Sequence, residues 1–304
     1  MIFEGDHSVV EAIKEKKRLM DAGKEHDHIR PLLIQGGGLM RGAYGAGASL
    51  ALEELGYTNT FTSMVGISSG APLIAYFAAG NAKVAKSIFI KDCADKRFVN
   101  VWRFWNQADT KYLINIISSD EKKKLDFDKV SSNPADLYIG VSEFETALPK
   151  LLKPKNVNHF FDSVHASINM QNVSPHKVII DGVHYADGGF TKPHMFTEAL
   201  KEIDATHILI ITNNDKRFTP ISIIEKIMNR TLFRLRINGV LAQAINSRRE
   251  ERDKAIAEAM KSDNAVAVVW GDCSIHGMEN NPQKIAATIE ASRTWWHGLF
   301  SLEK

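Results

Sequence analysis

The chain alternates between two hydrophobic patterns. Short apolar runs at residues 32–35, 61–65, 207–212 and 265–270 have no polar alternation and read as strands buried on both faces. The segment 136–142 does alternate and reads as another strand, and 177–189 reads as two short strands about Asp181-Gly182. Between them lie stretches with apolar positions at three- and four-residue steps, predicting helices. One starts at Ser8, where Ser8-Val9-Val10-Glu11 fits a capping box, keeps Val9, Ile13 and Met20 on one face and stops at Gly23. Others are expected over 43–55, 71–80, 82–91, 109–117, 159–170, 195–203, 221–236, 243–261 and 282–300. Leu125 to Val130 has no definite pattern, and 131–134 is a turn.

Strands alternating with helices, with no repeat or low-complexity linker between them, predict an α/β fold with a mostly parallel central sheet. A single domain over 1–304 is expected, with its core at about 31–212 and residues 213–304 completing it. The 304 residues, 44% of them hydrophobic, suffice for a large buried core. The formal net charge of +2 gives no field that would gather nucleic acid. Cys93 and Cys273 share no metal-ligand spacing and read as reduced thiols. Asp126 and Asp128 lack calcium-loop spacing and read as a solvated turn. No cationic leader and no apolar stretch of about 20 residues is evident, so the expectation is a cytoplasmic protein, with peripheral membrane contact left open.

Three glycine clusters carry the chemistry. Gly66-Ile67-Ser68-Ser69-Gly70 stands where a strand meets a helix, so Ser68 reads as a nucleophile on a tight elbow, with Gly66 and Gly70 letting strand and helix approach. Gly36-Gly37-Gly38-Leu39-Met40-Arg41-Gly42 joins another strand to a helix and offers backbone N–H groups to an oxyanion or a phosphate. A dinucleotide fingerprint would need glycine where Arg41 stands, and a P-loop would need Gly-Lys-Ser/Thr, which is absent. Asp187-Gly188-Gly189 sets a carboxylate at a strand end. Acyl transfer needs a nucleophile, a proton acceptor and oxyanion donors, and the three clusters supply one of each.

With these motifs in this order, residues 32–212 resemble the patatin-like phospholipases. The resemblance implies a three-layer α/β/α sandwich and a serine-aspartate dyad that hydrolyses lipid acyl esters without calcium, cofactor or catalytic histidine. Ser68 would be the nucleophile and Asp187 the base. Gly36, Gly37 and Gly38 would form the oxyanion hole, and Arg41 would hold the loop or meet a phosphate. The substrate would be a lipid or other acyl ester.

Two alternatives compete. One is a Ser-Asp-His triad with His276 in the expected chain order, His194 and His207 being worse placed. The other is a lipid-binding module without catalysis. The aromatic run Phe98, Trp102, Phe104 and Trp105 reads as core or pocket lining. The helix expected at 221–236 carries an apolar stripe beside Lys226, Arg230 and Arg234, and would pack on the sheet or meet anionic lipid.

Overall fold

The computed structural model describes residues 1–100, 102–103, 105–174, 176–216, 236–272 and 274–301. The helix expected at 221–236 lies almost wholly outside them, as do Phe104 and Cys273.

Nine strands form one sheet: β1 (Ile2–Gly5), β2 (Pro31–Gln35), β3 (Ser63–Ile67), β4 (Asp136–Glu143), β5 (Pro149–Leu152), β6 (Val178–Ile180), β7 (Val183–Asp187), β8 (His207–Asp215) and β9 (Ala265–Gly271). The order is β1-β9-β8-β2-β3-β4-β7-β6, with β5 also on β4. From β9 to β4 all pairings are parallel, whereas β1, β5, β6 and β7 pair antiparallel. The parallel centre accounts for the unbroken apolar runs, since both faces are covered. Successive side chains of β2 confirm it. Leu33 enters one core cluster with Tyr44, Phe77 and Trp296, while Leu32 and Ile34 enter the cluster on the opposite face with Phe196, Ile256 and Ala259. The arrangement is a three-layer α/β/α sandwich.

The helices are α1 (Ser8–Asp21), α2 (Ala43–Glu54), α3 (Gly70–Ala78), α4 (Ala82–Ile88), α5 (Thr110–Ser119), α6 (Phe127–Ser131), α7 (Val157–Ile168), α8 (Phe196–Glu202), α9 (Gly239–Ala259) and α10 (Pro282–Phe300). Three local expectations need correction. Ser8 does not cap α1: its own N–H donates to Asp6 Oδ1 at 2.8 Å, so the carboxylate one residue before His7 fills that role. Strands β1 and β5 were not anticipated, because each is four residues long, lies at an edge and lacks alternation. The solvated turn expected at Asp126 and Asp128 is instead the start of α6, which Asp126 caps by accepting from the N–H groups of Asp128 and Lys129. One local reading agrees with the structure: Asp181 and Gly182 both take positive φ, as the β6–β7 hairpin turn requires.

The register of β4 positions the rest. Gly140 pairs with Ile67 of β3 and Leu151 of β5, while Val141 pairs with Lys150 of β5 and Asp187 of β7. Since β5 holds one edge across both positions, β3 and β7 must share the other. The two strands therefore end against each other on β4, β3 at Ile67 and β7 at Asp187. Gly140 lies at that junction, where a Cβ would come within 2.6 Å of Ile67 Cγ1.

Helix α2 packs against α10 through small residues. A Cβ on Gly47 would lie 2.5 Å from the Ile289 carbonyl oxygen and 2.6 Å from Ser292 Cβ. Gly47→Ala is therefore expected to destabilise the fold by about 1 to 3 kcal/mol through overpacking, read as a lower denaturant midpoint at unchanged slope.

Candidate active site

Ser68 follows β3 directly and has φ of +54°, in the left-handed region that a serine adopts only when its surroundings hold it there. Two close approaches hold it. A Cβ on Gly66 would fall 2.7 Å from Ala71 Cα, and one on Gly70 would fall 2.1 Å from the Gln35 carbonyl oxygen. Only glycine lets α3 begin this near to β2 and β3. A third restraint comes from α7. The Ser68 N–H donates to Ser167 Oγ at 2.9 Å, and the Ser167 hydroxyl donates to the Gly140 carbonyl at 2.6 Å.

The Ser68 hydroxyl donates to Asp187 Oδ2 at 2.7 Å. The other carboxylate oxygen of Asp187 accepts from the Gly189 N–H at 2.7 Å. The backbone of Asp187 is fixed as well, its N–H donating to the Asn169 carbonyl at 3.1 Å and its carbonyl accepting from Ser142 Oγ at 2.9 Å. Both side chains are buried. Burial raises the Asp187 carboxyl from its ordinary value to about 7, against the opposing hydrogen bonds from Ser68 and Gly189 and the charge of Arg248. Desolvation outweighs those three because the carboxylate has no water shell.

The glycine loop lies over this pair. A Cβ on Gly37 would be 2.4 Å from Ser68 Cβ, so the loop backbone abuts the serine. Gly36 departs from the expectation that it donates to an oxyanion: its N–H continues the sheet ladder to the Ile211 carbonyl at 2.9 Å. Its carbonyl accepts from Asn213 Nδ2 at 2.6 Å. Among the described residues, the N–H groups of Gly37 and Gly38 have no acceptor. Arg41 turns back on the loop, its N–H 3.1 Å and its Nε 3.4 Å from the Gly38 carbonyl.

From Ser68 a cavity runs between α3, α4, the π-helical turn Phe89–Cys93 and α5. Its wall is largely apolar, built from Leu39, Met40, Pro72, Leu73, Ala85, Ile88, Phe89, Phe98, Leu113, Ile117, Ile168, Met170 and Val173 with Cys93, Ala108 and Tyr76, whose hydroxyl donates to the Lys123 carbonyl, and Ser68, Ser69 and Thr110 add polar side chains. Phe98 thus lines the pocket as the sequence implied. Trp102 and Trp105 do not, being exposed.

None of the three competing histidines is hydrogen-bonded to Ser68. The His276 side chain is 69% exposed and lies 3.7 Å from Glu279. His207 stands at the first residue of β8, where it pairs with Pro31 at the start of β2, while Ser68 follows the last residue of β3. His194 is buried beneath the loop, and a Cβ on Gly36 would meet its Nδ1 at 2.7 Å. Burial lowers its pKa to about 3 and keeps it neutral.

The sequence profile described as Patatin-like phospholipase matches residues 32–200, more than half of the chain. The chain belongs to the patatin-like phospholipase family. Lipid acyl-ester hydrolysis is the activity of that family, and the match supports it at that level. No curated protein matches the sequence. Among solved structures, the patatin-like fold is similar to VipD from Legionella pneumophila, at 12% identity and a TM-score of 0.50, over 90% of this chain and 66% of that one. A chain in the complex of full-length SpcU with full-length ExoU, from the type III secretion system of Pseudomonas aeruginosa, is less similar. It has 17% identity and a TM-score of 0.29, over 72% of this chain and 52% of that one. The chain therefore spans just under two thirds of the first and about half of the second, and the first likeness speaks to the fold alone.

Ser167, Ser142, Asn169 and Asn213, which fix this patatin-like site, were not found from the sequence. Gly140 had a legible signal, a lone glycine inside a strand pattern, which marks a close backbone approach.

A carboxyl whose folded pKa exceeds its ordinary value stabilises the fold at low pH and loses that contribution as pH rises through the folded value. Asp187→Asn keeps an acceptor for Gly189 and a partner for Ser68 but removes the buried charge. The variant should melt above the wild type at about pH 8, with the gap closing toward about pH 4. Thermal unfolding across this range provides the test.

Proposed function

We propose that the protein hydrolyses carboxylic esters of lipids through a serine-aspartate dyad formed by Ser68 and Asp187. The observation that carries this reading is the 2.7 Å bond from Ser68 Oγ to a carboxylate raised to about 7, at the head of an apolar cavity. Near neutral pH such a carboxylate is deprotonated in a large fraction of molecules and is a far better base than an exposed aspartate.

Ser68 Oγ attacks the ester carbonyl carbon as its proton passes to Asp187 Oδ2. The tetrahedral oxyanion meets the N–H groups of Gly37 and Gly38, and the start of α3 adds the positive end of its dipole. Collapse expels the alcohol, which takes the proton from Asp187, and leaves an acyl-Ser68 ester. Water then attacks this ester with Asp187 again taking the proton, and the fatty acid leaves as Ser68 is restored. Gly36 supplies no donor in this scheme. Its role is to let the loop pass His194, and Arg41 holds the loop through Gly38. The acyl chain occupies the apolar cavity, since burying each methylene contributes about 0.8 kcal/mol. A sheet that joins residues from β1 to β9 supports reading the chain as one domain.

The triad alternative loses its support, because His276 faces solvent and Glu279. A binding module without catalysis would have no use for a buried base aligned on a strained serine.

Ser68→Ala and Asp187→Asn should each lower kcat for a short-chain ester by about 10⁴-fold or more, whereas His276→Ala should stay within about twofold of wild type. Circular dichroism should show each variant folded. Loss of activity in His276→Ala would reinstate the triad. Hydrolysis should also persist in excess chelator, because no step of this chemistry uses a metal.

A further inference from the structure

Around Trp102 and Trp105 the chain is closed at its base by backbone pairing. Val99 pairs with Ala108 in an antiparallel bridge, and the Asn100 and Asp109 N–H groups donate to the Gln107 and Phe98 carbonyls at 2.9 Å each. The base of this hairpin is a wall of the cavity described above, through Phe98 and Ala108.

Arg103 ties the two arms of the hairpin together. Its guanidinium donates to the carbonyls of Arg97 at 2.8 Å, Phe98 at 3.1 Å and Asn106. The backbone on either side is turned by Trp102 N–H to Asn100 Oδ1 at 3.1 Å and by Asn106 N–H to the Arg103 carbonyl at 2.9 Å. This clamp holds two indoles outward, Trp102 at 80% exposure and Trp105 at 66%. The chain's other three tryptophans are buried or half-buried. An exposed indole loses hydrophobic stabilisation, and two so close in sequence leave large apolar rings facing solvent.

Indoles favour one environment above others, the boundary between lipid headgroups and acyl chains, where the ring is apolar and the N–H stays wet. We propose that Trp102 and Trp105 insert into the surface of a phospholipid bilayer and seat the cavity against it. Continuity argues for a bilayer over a protein partner, since Phe98 and Ala108 line the acyl cavity at the base of the hairpin that presents Trp102 and Trp105 to solvent. Charge argues the same way. Lys96 and Lys111 flank the hairpin in sequence and are exposed, whereas Asp95 is paired with Arg97 at 3.1 Å and Asp109 caps α5 through the Tyr112 N–H. An anionic headgroup layer is therefore favoured. The proposal rests on reading the cavity as the acyl site, yet its test does not require turnover.

The test uses the full chain with Ser68→Ala, so that vesicles are not consumed, and compares it with the same chain carrying Trp102→Ala and Trp105→Ala. Vesicles of phosphatidylcholine alone and of phosphatidylcholine with phosphatidylglycerol are titrated, and binding is read by co-sedimentation. Tryptophan emission, and its quenching by lipids brominated in the acyl chain, is read in parallel. The intact hairpin should bind the mixed vesicles with blue-shifted, quenched emission, and should gain up to about fivefold in affinity per well-placed lysine over phosphatidylcholine alone. Removing both indoles should weaken binding about tenfold or more and abolish the quenching. In the Ser68 background the same pair should slow hydrolysis of vesicle phospholipid but keep soluble short-chain ester turnover within about twofold, which also shows that the variant is folded.

Equal vesicle binding with and without the indoles would overturn the proposal. So would vesicle binding without quenching, or failure to bind either vesicle, which would leave the indoles to a protein contact. If the protein binds as expected but hydrolyses no ester, it is the catalytic reading that fails.

Discussion

One edge of β4 carries two strand ends, and the site exists because they meet there. Ile67 of β3 faces Gly140 and Asp187 of β7 faces Val141, so a parallel and an antiparallel strand run toward each other along one partner. The residue after the first end is Ser68, and the last residue of the second is Asp187. Two side chains 119 positions apart in sequence are thereby brought to 2.7 Å. Strand β5 enforces the arrangement by holding the opposite edge of β4 over the same positions. Gly140 permits it by carrying no side chain, since a Cβ there would come within 2.6 Å of Ile67 Cγ1 and 2.7 Å of Met195 Sδ.

The same closeness sets the chemistry. Ends that meet inside the sandwich expose neither side chain to water, and desolvation lifts the Asp187 carboxyl to about 7. A serine hydroxyl is a weak acid, and a carboxylate of ordinary pKa is a poor base for it. In the proposed dyad, the burial that makes Asp187 costly to ionise is also what makes it a usable base near neutral pH. Local strain is part of the arrangement, for Ser68 holds its positive φ through Gly66, Gly70 and the Ser167 bridge rather than through its own preference.

The sequence revealed what local backbone geometry demands and concealed what distant pairing supplies. The glycine clusters were legible because a strained serine and a loop passing over it need glycine at fixed offsets. The central parallel strands were legible because burial on both faces leaves an unbroken apolar run. Strand β1 was not, since Ile2 to Gly5 owe their conformation to Trp270 through Ala267. Strand β5 likewise takes its conformation from β4. Gly36 looked equivalent to Gly37 and Gly38, and only the pairing of β2 with β8 shows that its N–H is already used. The aromatic run divided between cavity and solvent for a similar reason. The Val99–Ala108 bridge keeps Phe98 at the base and sends Trp102 and Trp105 to the tip.

The central claim is that buried Asp187 activates Ser68, and the most direct measurement is the pH dependence of covalent labelling of Ser68 by a fluorophosphonate. The reagent needs the activated hydroxyl but no lipid, no membrane and no second chemical step. The rate in the wild type should rise through about pH 7 with the slope of a single ionisation and then level off, and the adduct should map to the peptide containing Ser68. Asp187→Asn should label slowly and without that inflection. Labelling at another residue, or a rate in the wild type that ignores pH across this range, would contradict the account.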